Sequence, residues 1–253
     1  MNPAQSIRHY LSNPKRATDR DLSQAQTEYG RGLDYYRFRI KAIGFTGKKR
    51  VLDAGCGYGQ WSIALSEENG QISSVDINPG GLEIAWKASK GLKRTNIAFS
   101  RGDLHRLPFG NASFDAVFCY GVLMFTREDN TLSELNRVLR PGGKLYLCSD
   151  GPAWPLYRMI HFGWKQRESR TFFSGLSISV RTFRVMLCRR FSHKRTFMRK
   201  RDIRKLFRDN GIRMDHYGVD GTFGNKERHF QAPFGKTLLG LPVDFEALGT
   251  KNE

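Results

Sequence analysis

Long apolar runs are missing from this sequence of 253 residues. The longest, Val117 to Phe125, has Gly121 inside it, whereas a membrane-spanning helix needs about 20 apolar residues. No apolar region follows the opening Met1-Asn2-Pro3-Ala4-Gln5, so a secretory signal is not expected. Cysteine is scarce: Cys56, Cys119, Cys148 and Cys188 are widely separated, and no CxxC occurs. That argues against a zinc ribbon or a dithiol redox centre and for a reduced, cytoplasmic protein. The six histidines, His9, His105, His161, His193, His216 and His229, show no metal-ligand spacing, so no metal site is expected. Internal repeats and low-complexity segments are also absent. Core material is not lacking, since 39% of residues are hydrophobic and 12% aromatic. A disordered chain is thereby excluded, and the length suits one large domain or one domain with a lid.

Acidic residues are too few to balance the basic ones, and the net charge is +18. The excess is uneven. Residues 1–50 carry a net +7, 51–150 a net −1, 151–210 a net +13 and the remaining tail a net −1. A field of this kind attracts phosphates, nucleic acid or acidic lipid headgroups.

The neutral middle alternates short apolar runs with helical patterns. Strands are expected at Arg50–Ala54, Gln71–Asp76, Asn96–Arg101, Phe114–Tyr120 and Lys144–Ser149, and helices at Gln60–Glu68 and Gly81–Lys90. Such βαβ units imply a parallel sheet with helices on both faces. Thr126-Arg-Glu-Asp129 fits a capping box ahead of Leu132, Leu135, Val138 and Leu139, and Arg140-Pro-Gly-Gly143 ends that helix. A later helix carries Ile203, Leu206 and Phe207 and closes on Asn210-Gly211. Gly211 to Val219 and Glu227 to Ala232 read as the last two strands.

The sharpest motif is Val51-Leu-Asp-Ala-Gly-Cys-Gly-Tyr-Gly59, where glycines at 55, 57 and 59 link a strand to a helix. They let a ligand approach the backbone closely. Asp76 ends the next strand, where a carboxylate can accept from both ribose hydroxyls. The pattern is GxGxG, with Gln60 where a dinucleotide fingerprint has its third glycine. Asp53 would also serve a pyrophosphate poorly, and a cationic amino group suits it better.

These residues resemble the class I S-adenosylmethionine-dependent methyltransferases, specifically the methyltransferase type 11 group. The resemblance spans about residues 45–150 and, more faintly, 198–232. Beside the glycine motif it rests on Val75-Asp-Ile-Asn-Pro79, Gly102-Asp-Leu-His-Arg-Leu-Pro-Phe109, Ser113-Phe-Asp-Ala-Val117 and Arg137-Val-Leu-Arg-Pro-Gly-Gly143. It implies S-adenosyl-L-methionine as cofactor and a Rossmann-like, doubly wound, seven-stranded α/β sheet. Asp53 would face the methionine amino group, with Gly55, Cys56 and Gly57 lining the methionine and ribose. Asp76 would hold the ribose and Ile77 would pack on adenine. Asp103 and the Leu104 backbone would take the adenine amino group, and Tyr120 would lie where amino group and substrate meet. An N-terminal aromatic, Tyr29, Tyr35 or Tyr36, would reach the carboxylate. No Asn-Pro-Pro-Tyr or Asp-Pro-Pro-Tyr is present, which weakens adenine or glutamine N-methylation.

Four regions follow: an N-terminal helical segment (1–48), the cofactor-binding core (49–150), a basic aromatic helical lid inserted after the fifth strand (151–198), and a C-terminal helix with the last two strands (199–253). The lid's charge fits a solvated surface, contacts to an anionic small-molecule, lipid-linked or nucleotide-linked acceptor, or, over Arg181 to Arg201, an anionic membrane face. Methyl transfer to such an acceptor is the expected function, with no catalytic base singled out. RNA methylation at the same cofactor site and a non-catalytic, cofactor-binding basic protein are the alternatives.

Overall fold

The computed structural model describes residues 15–158, 160, 198–223 and 237–253. Helices α1 (Asp19–Gly30) and α2 (Leu33–Ala42) come first. Thr18 caps α1 in a capping box with Asp21, which satisfies two of the backbone N–H groups a helix start leaves open. Then follow β1 (Arg50–Ala54), α3 (Gln60–Glu68), β2 (Gln71–Asp76), α4 (Pro79–Gly91), β3 (Ile97–Arg101) and β4 (Phe114–Tyr120). A 3-10 turn at Leu123–Phe125 leads to α5 (Glu128–Val138), β5 (Leu139–Asp150) and the short α6 (Trp154–Arg158). The rest comprises α7 (Lys200–Asp209), β6 (Ile212–Val219), a hairpin of β7 (Thr237–Leu238) and β8 (Leu241–Pro242), and β9 (Asp244–Lys251).

Seven strands form one sheet in the order β3-β2-β1-β4-β5-β9-β6. The ladders from β3 through β5 are parallel, and β9 runs antiparallel to both β5 and β6. The chain order reverses between β1 and β4, and in open α/β sheets ligands bind beyond the strand carboxyl ends at such a switch point. One face packs Phe118, Tyr146 and Cys148 against α1, α2, α3 and α4 through Ala25, Tyr36, Ile40, Trp61 and Ile84. The Trp61 ring stands 4.7 Å from Tyr36 and 5.0 Å from Phe118, centroid to centroid. The other face packs Val117, Leu145 and Ala247 against Leu132, Leu135, Ile203 and Phe207 of α5 and α7. Burial on both faces explains why β4 is continuously apolar from Ala116 to Tyr120 rather than alternating.

Besides a fifth strand that begins at Leu139 rather than Lys144, so that Leu139 and Arg140–Gly143 belong to it and not to the end of α5, three expectations need correcting. The last strand is Asp244–Lys251, inserted between β5 and β6; Glu227–Ala232 lies outside the described residues. Phe245 and Ala247 on one face and Leu248 on the other give β9 the two-sided apolar character an internal strand requires. Second, Thr126 does not cap α5. Its Oγ1 donates back to the Leu123 carbonyl at 2.8 Å, closing the preceding 3-10 turn, and Arg127 holds the cap position with no side-chain bond. Third, α4 starts two residues earlier than read, because Asn78 caps it by accepting from the Gly80 N–H at 3.0 Å and Pro79 occupies the first turn. Most of the basic block, 161–197, lies outside the described residues. Among the described residues no helix is long and apolar enough to cross a membrane.

Candidate active site

The β1–α3 turn is built from glycines in the left-handed region, with φ of 81° at Gly55 and 52° at Gly57. Their neighbourhoods differ. A Cβ on Gly55 would stand 2.6 Å from the Val122 side chain, whereas one on Gly57 would meet nothing within 4 Å. Gly55 is thus a packing requirement, and Gly57 faces open space. The loop's N–H groups are already engaged: Gly55 and Cys56 donate to the Val75 carbonyl at 2.8 and 3.0 Å, and Gly57 donates to Asp76 Oδ2 at 2.8 Å. A loop that has committed its donors offers little to a pyrophosphate. The same loop beside aspartates suits a ligand bearing hydroxyl and ammonium groups.

The strand-end carboxylates are in three different states. Asp53 is 1% exposed. Its one described hydrogen-bond partner is the Ser62 hydroxyl at 2.6 Å, and burial pushes its carboxyl up to about 7. A carboxyl in such surroundings is stabilised as an anion by any ammonium placed beside it. Asp76 accepts from Gly57 N on Oδ2 and from Asn78 N on Oδ1, each at 2.8 Å. Each oxygen retains acceptor capacity for a ribose hydroxyl. Asp103 takes the His105 backbone N–H at 2.9 Å and its Nδ1 at 2.6 Å, both on Oδ1, and the backbone bond holds its carboxyl below the ordinary value. The other ring nitrogen of His105 accepts from the Arg127 N–H at 2.9 Å. His105 is therefore a strut between two loops.

Ile77 is 64% exposed beside Asp76, an apolar surface where a planar ring can lie, and Leu104 is buried. The Cys56 thiol is buried and pushed well up by that burial, with Asp53 and Asp76 adding to it, so it is no nucleophile. Tyr29 and Tyr36 turn their hydroxyls onto the carbonyls of Tyr58 and Glu28 at 2.8 and 2.7 Å. Tyr35, half-buried, stands beside Tyr36 and Trp61.

Several residues of the site were missed in the sequence. Asp21 of α1 accepts from Asn78 Nδ2 at 2.9 Å and clamps the start of α4; the Thr18-x-x-Asp21 spacing could have exposed it. Behind Tyr120 lies a buried network with no local signal. The Tyr120 hydroxyl donates to Asp220 Oδ2 at 2.7 Å. Arg39, 2% exposed, directs Nη2 at Asp220 Oδ1, Glu246 Oε2 and the Tyr146 hydroxyl at 2.8, 2.8 and 2.7 Å. Burial pushes the Asp220 carboxyl up while the Arg39 guanidinium pulls it back. Asp150 and Asp244 face each other across the β5–β9 ladder, and burial with Asp150 and Asp220 nearby raises Asp244 to about 9. Among the described residues no cluster of His, Cys, Asp and Glu could hold a metal ion.

Residues 52–147 match a family described as a methyltransferase domain. That match covers 96 of the 253 residues. The Rossmann-like α/β fold is shared with solved methyltransferase structures. The chain is similar to a demethylmenaquinone methyltransferase of Deinococcus radiodurans, 41% identical over 107 residues, 41% of this chain and 44% of that protein. It also resembles the enzyme of that name from Beutenbergia cavernae, 31% identical over 162 residues, 63% of this chain and 64% of that protein. The chain spans about half the length of the curated relatives it matches. Solved structures share the fold across nearly the whole chain. A magnesium protoporphyrin IX methyltransferase from Synechocystis aligns over 98% of this chain and 93% of its own, with TM-score 0.56 and 19% identity. A SAM-dependent methyltransferase from Aquifex aeolicus aligns over 99% and 98%, with TM-score 0.55 and 15% identity.

Proposed function

We propose that this protein transfers a methyl group from S-adenosylmethionine to a small-molecule acceptor with a planar, apolar body. The observation that carries the reading is the open space over Gly57 beside Asp76, in a loop whose Gly55, Cys56 and Gly57 N–H groups are already engaged. Asp76 would hold the ribose, Ile77 would cover the adenine, Asp103 would take its amino group and Asp53 would face the ammonium. The cofactor supplies an activated methyl on a positively charged sulfur. What remains for the chain is alignment, which is proximity and orientation catalysis. Tyr120 and the edge of β4 and β5 would position the nucleophile in line with the methyl group. The curated relatives are named for methylation of demethylmenaquinone, and that name supports an aromatic acceptor here. The net +13 of residues 151–210 supports an anionic group or surface away from the reacting end.

Calorimetry with S-adenosylhomocysteine tests the cofactor site. Binding should be lost in Asp76→Ala, by 100-fold or more in Kd, with the fold intact by circular dichroism; equal affinity in the variant refutes the assignment. Radiolabelled methyl transfer into fractionated extract tests the acceptor. Label in the lipid or small-molecule pool supports the reading, and label in RNA replaces it. Binding without label in any pool makes this a binding protein.

A further inference from the structure

We infer that the end of the acceptor reaching Tyr120 is a neutral hydrogen-bond donor, a phenol, alcohol or amine, and that Asp220 is the positioning residue that imposes this choice. The inference rests on the proposed methyl transfer and names its substrate class. A tyrosine hydroxyl has one proton to donate and lone pairs to accept with. Here the proton points at Asp220 Oδ2, 2.7 Å away. Asp220 Oδ1 faces a guanidinium nitrogen of Arg39 at 2.8 Å, so the carboxyl stands between two donors, the pattern of a carboxylate. Arg39 is itself held by Glu246 and Tyr146, and Tyr146 also donates to Glu246 at 2.9 Å. The polarity of the Tyr120 hydroxyl is thus set by a closed buried network before any ligand arrives. What it shows to the site is acceptor only.

The wider surroundings point the same way. Tyr120 pairs with Cys148 in the β4–β5 ladder, and Cys148 and Asp150 face Glu246 and Asp244 on β9. Asp150, Asp220, Asp244 and Glu246 are all buried there, and Asp244 Oδ1 has no hydrogen-bond partner among the described residues. Arg39 is the one buried guanidinium among the described residues facing them. A carboxylate or phosphate brought to Tyr120 would meet a lone pair. A hydroxyl or amine would meet an acceptor.

The test uses three probes of one shape, 1-naphthol, 1-methoxynaphthalene and 1-naphthoate. Their Kd values are measured at pH 7 against the complex of the full chain with S-adenosylhomocysteine. The unaltered protein should bind naphthol about tenfold tighter than the methyl ether, the worth of one hydrogen bond, and naphthoate weakest. Tyr120→Phe should erase the gap between naphthol and ether. Asp220→Asn is the sharper variant. Its amide oxygen must face Arg39, which only donates, so its NH2 faces Tyr120 and donates to it. The tyrosine proton is then released toward the ligand, and the naphthol preference should shrink or invert in favour of the ether. A merely structural role for Asp220 would weaken all three probes alike. Naphthoate binding tightest, a gap unchanged in Tyr120→Phe, or no naphthol binding to an intact cofactor complex would each overturn the inference and leave the cofactor reading standing. If S-adenosylhomocysteine itself fails to bind, both fall.

Discussion

Strands β1, β2 and β3 each end within two residues of an aspartate of their own, Asp53, Asp76 and Asp103, and each of these is handled locally. Ser62 from the next helix serves the first, Gly57 and Asn78 the second, and His105, two residues on, the third. Beyond β4 the arrangement is different. Tyr120 depends on Asp220, Asp220 on Arg39, and Arg39 on Tyr146 and Glu246, partners separated by 100 to 207 positions in the chain. The half of the sheet proposed to hold the cofactor is thus assembled from short-range pieces that can vary one at a time. The half proposed to hold the acceptor is held by one arginine that belongs to a helix outside the sheet. A binding site can be damaged piecemeal on the first side; on the second, a single change also strikes the fold.

Arg39→Met should show that contrast at its largest. It leaves two buried carboxylates, Asp220 and Glu246, without their cation, and removing one partner of a buried ion pair costs about 3–5 kcal/mol. For a chain of this size that is a fall in Tm on the order of 10 °C, readable by differential scanning calorimetry. Asp76→Ala, on the other half, should lose cofactor binding with a far smaller shift in Tm. Equal Tm losses in the two variants would remove the distinction between the halves.

The difference also explains what could be read in advance. The glycine turn, strands β1, β2 and β4 and helix α3 follow from apolar runs and glycine spacing over fewer than ten residues, and the structure places them on the same residues. The aspartates come with them because they lie in the same short motifs. Arg39 has the sequence signature of any surface arginine on an amphipathic helix, and its burial depends on two acids that arrive much later in the chain. Nor does anything between Val219 and Asp244 announce that the internal strand is the last one. Thr126 failed for a third reason, since its hydroxyl had a nearer acceptor in the Leu123 carbonyl than the N–H groups of the helix to come.

A middle-sized effect concerns protons at Asp53. Its folded value of about 7 lies above the ordinary 3.8, so between about pH 4 and 7 the folded chain holds a proton that the unfolded chain has given up. This group's contribution to stability is therefore complete below pH 4 and lost as pH rises to 7. A ligand ammonium beside Asp53 favours the anion, so S-adenosylhomocysteine should bind with release of roughly three-quarters of a proton at pH 6.5 and more tightly at pH 8 than at pH 6. Calorimetry in two buffers of different ionisation heat measures the release. In Asp53→Asn the release should vanish, and a release that persists would place the ammonium elsewhere.

The smallest expected effect compares two threonines, one on each side. Thr18 caps α1 on the cofactor side in a reciprocal pair, accepting from Asp21 N at 3.2 Å while Asp21 Oδ2 takes the Thr18 N–H at 2.9 Å. Losing a cap of this kind costs about 1 kcal/mol, so Thr18→Ala should lower Tm by about 2–4 °C. It should also loosen cofactor binding, because Asp21 that the cap holds in place also grips Asn78 at the head of α4, two residues past Asp76. Thr126 has the same sequence context but only a turn bond to a carbonyl, and the first turn of α5 does not rest on it. Thr126→Ala should therefore stay within about 0.5 kcal/mol of the unaltered protein and leave cofactor affinity unchanged. Identical losses in the two variants would mean that Thr126 caps α5 in solution after all, and that the local reading of the sequence was better on the acceptor side than the structure allows.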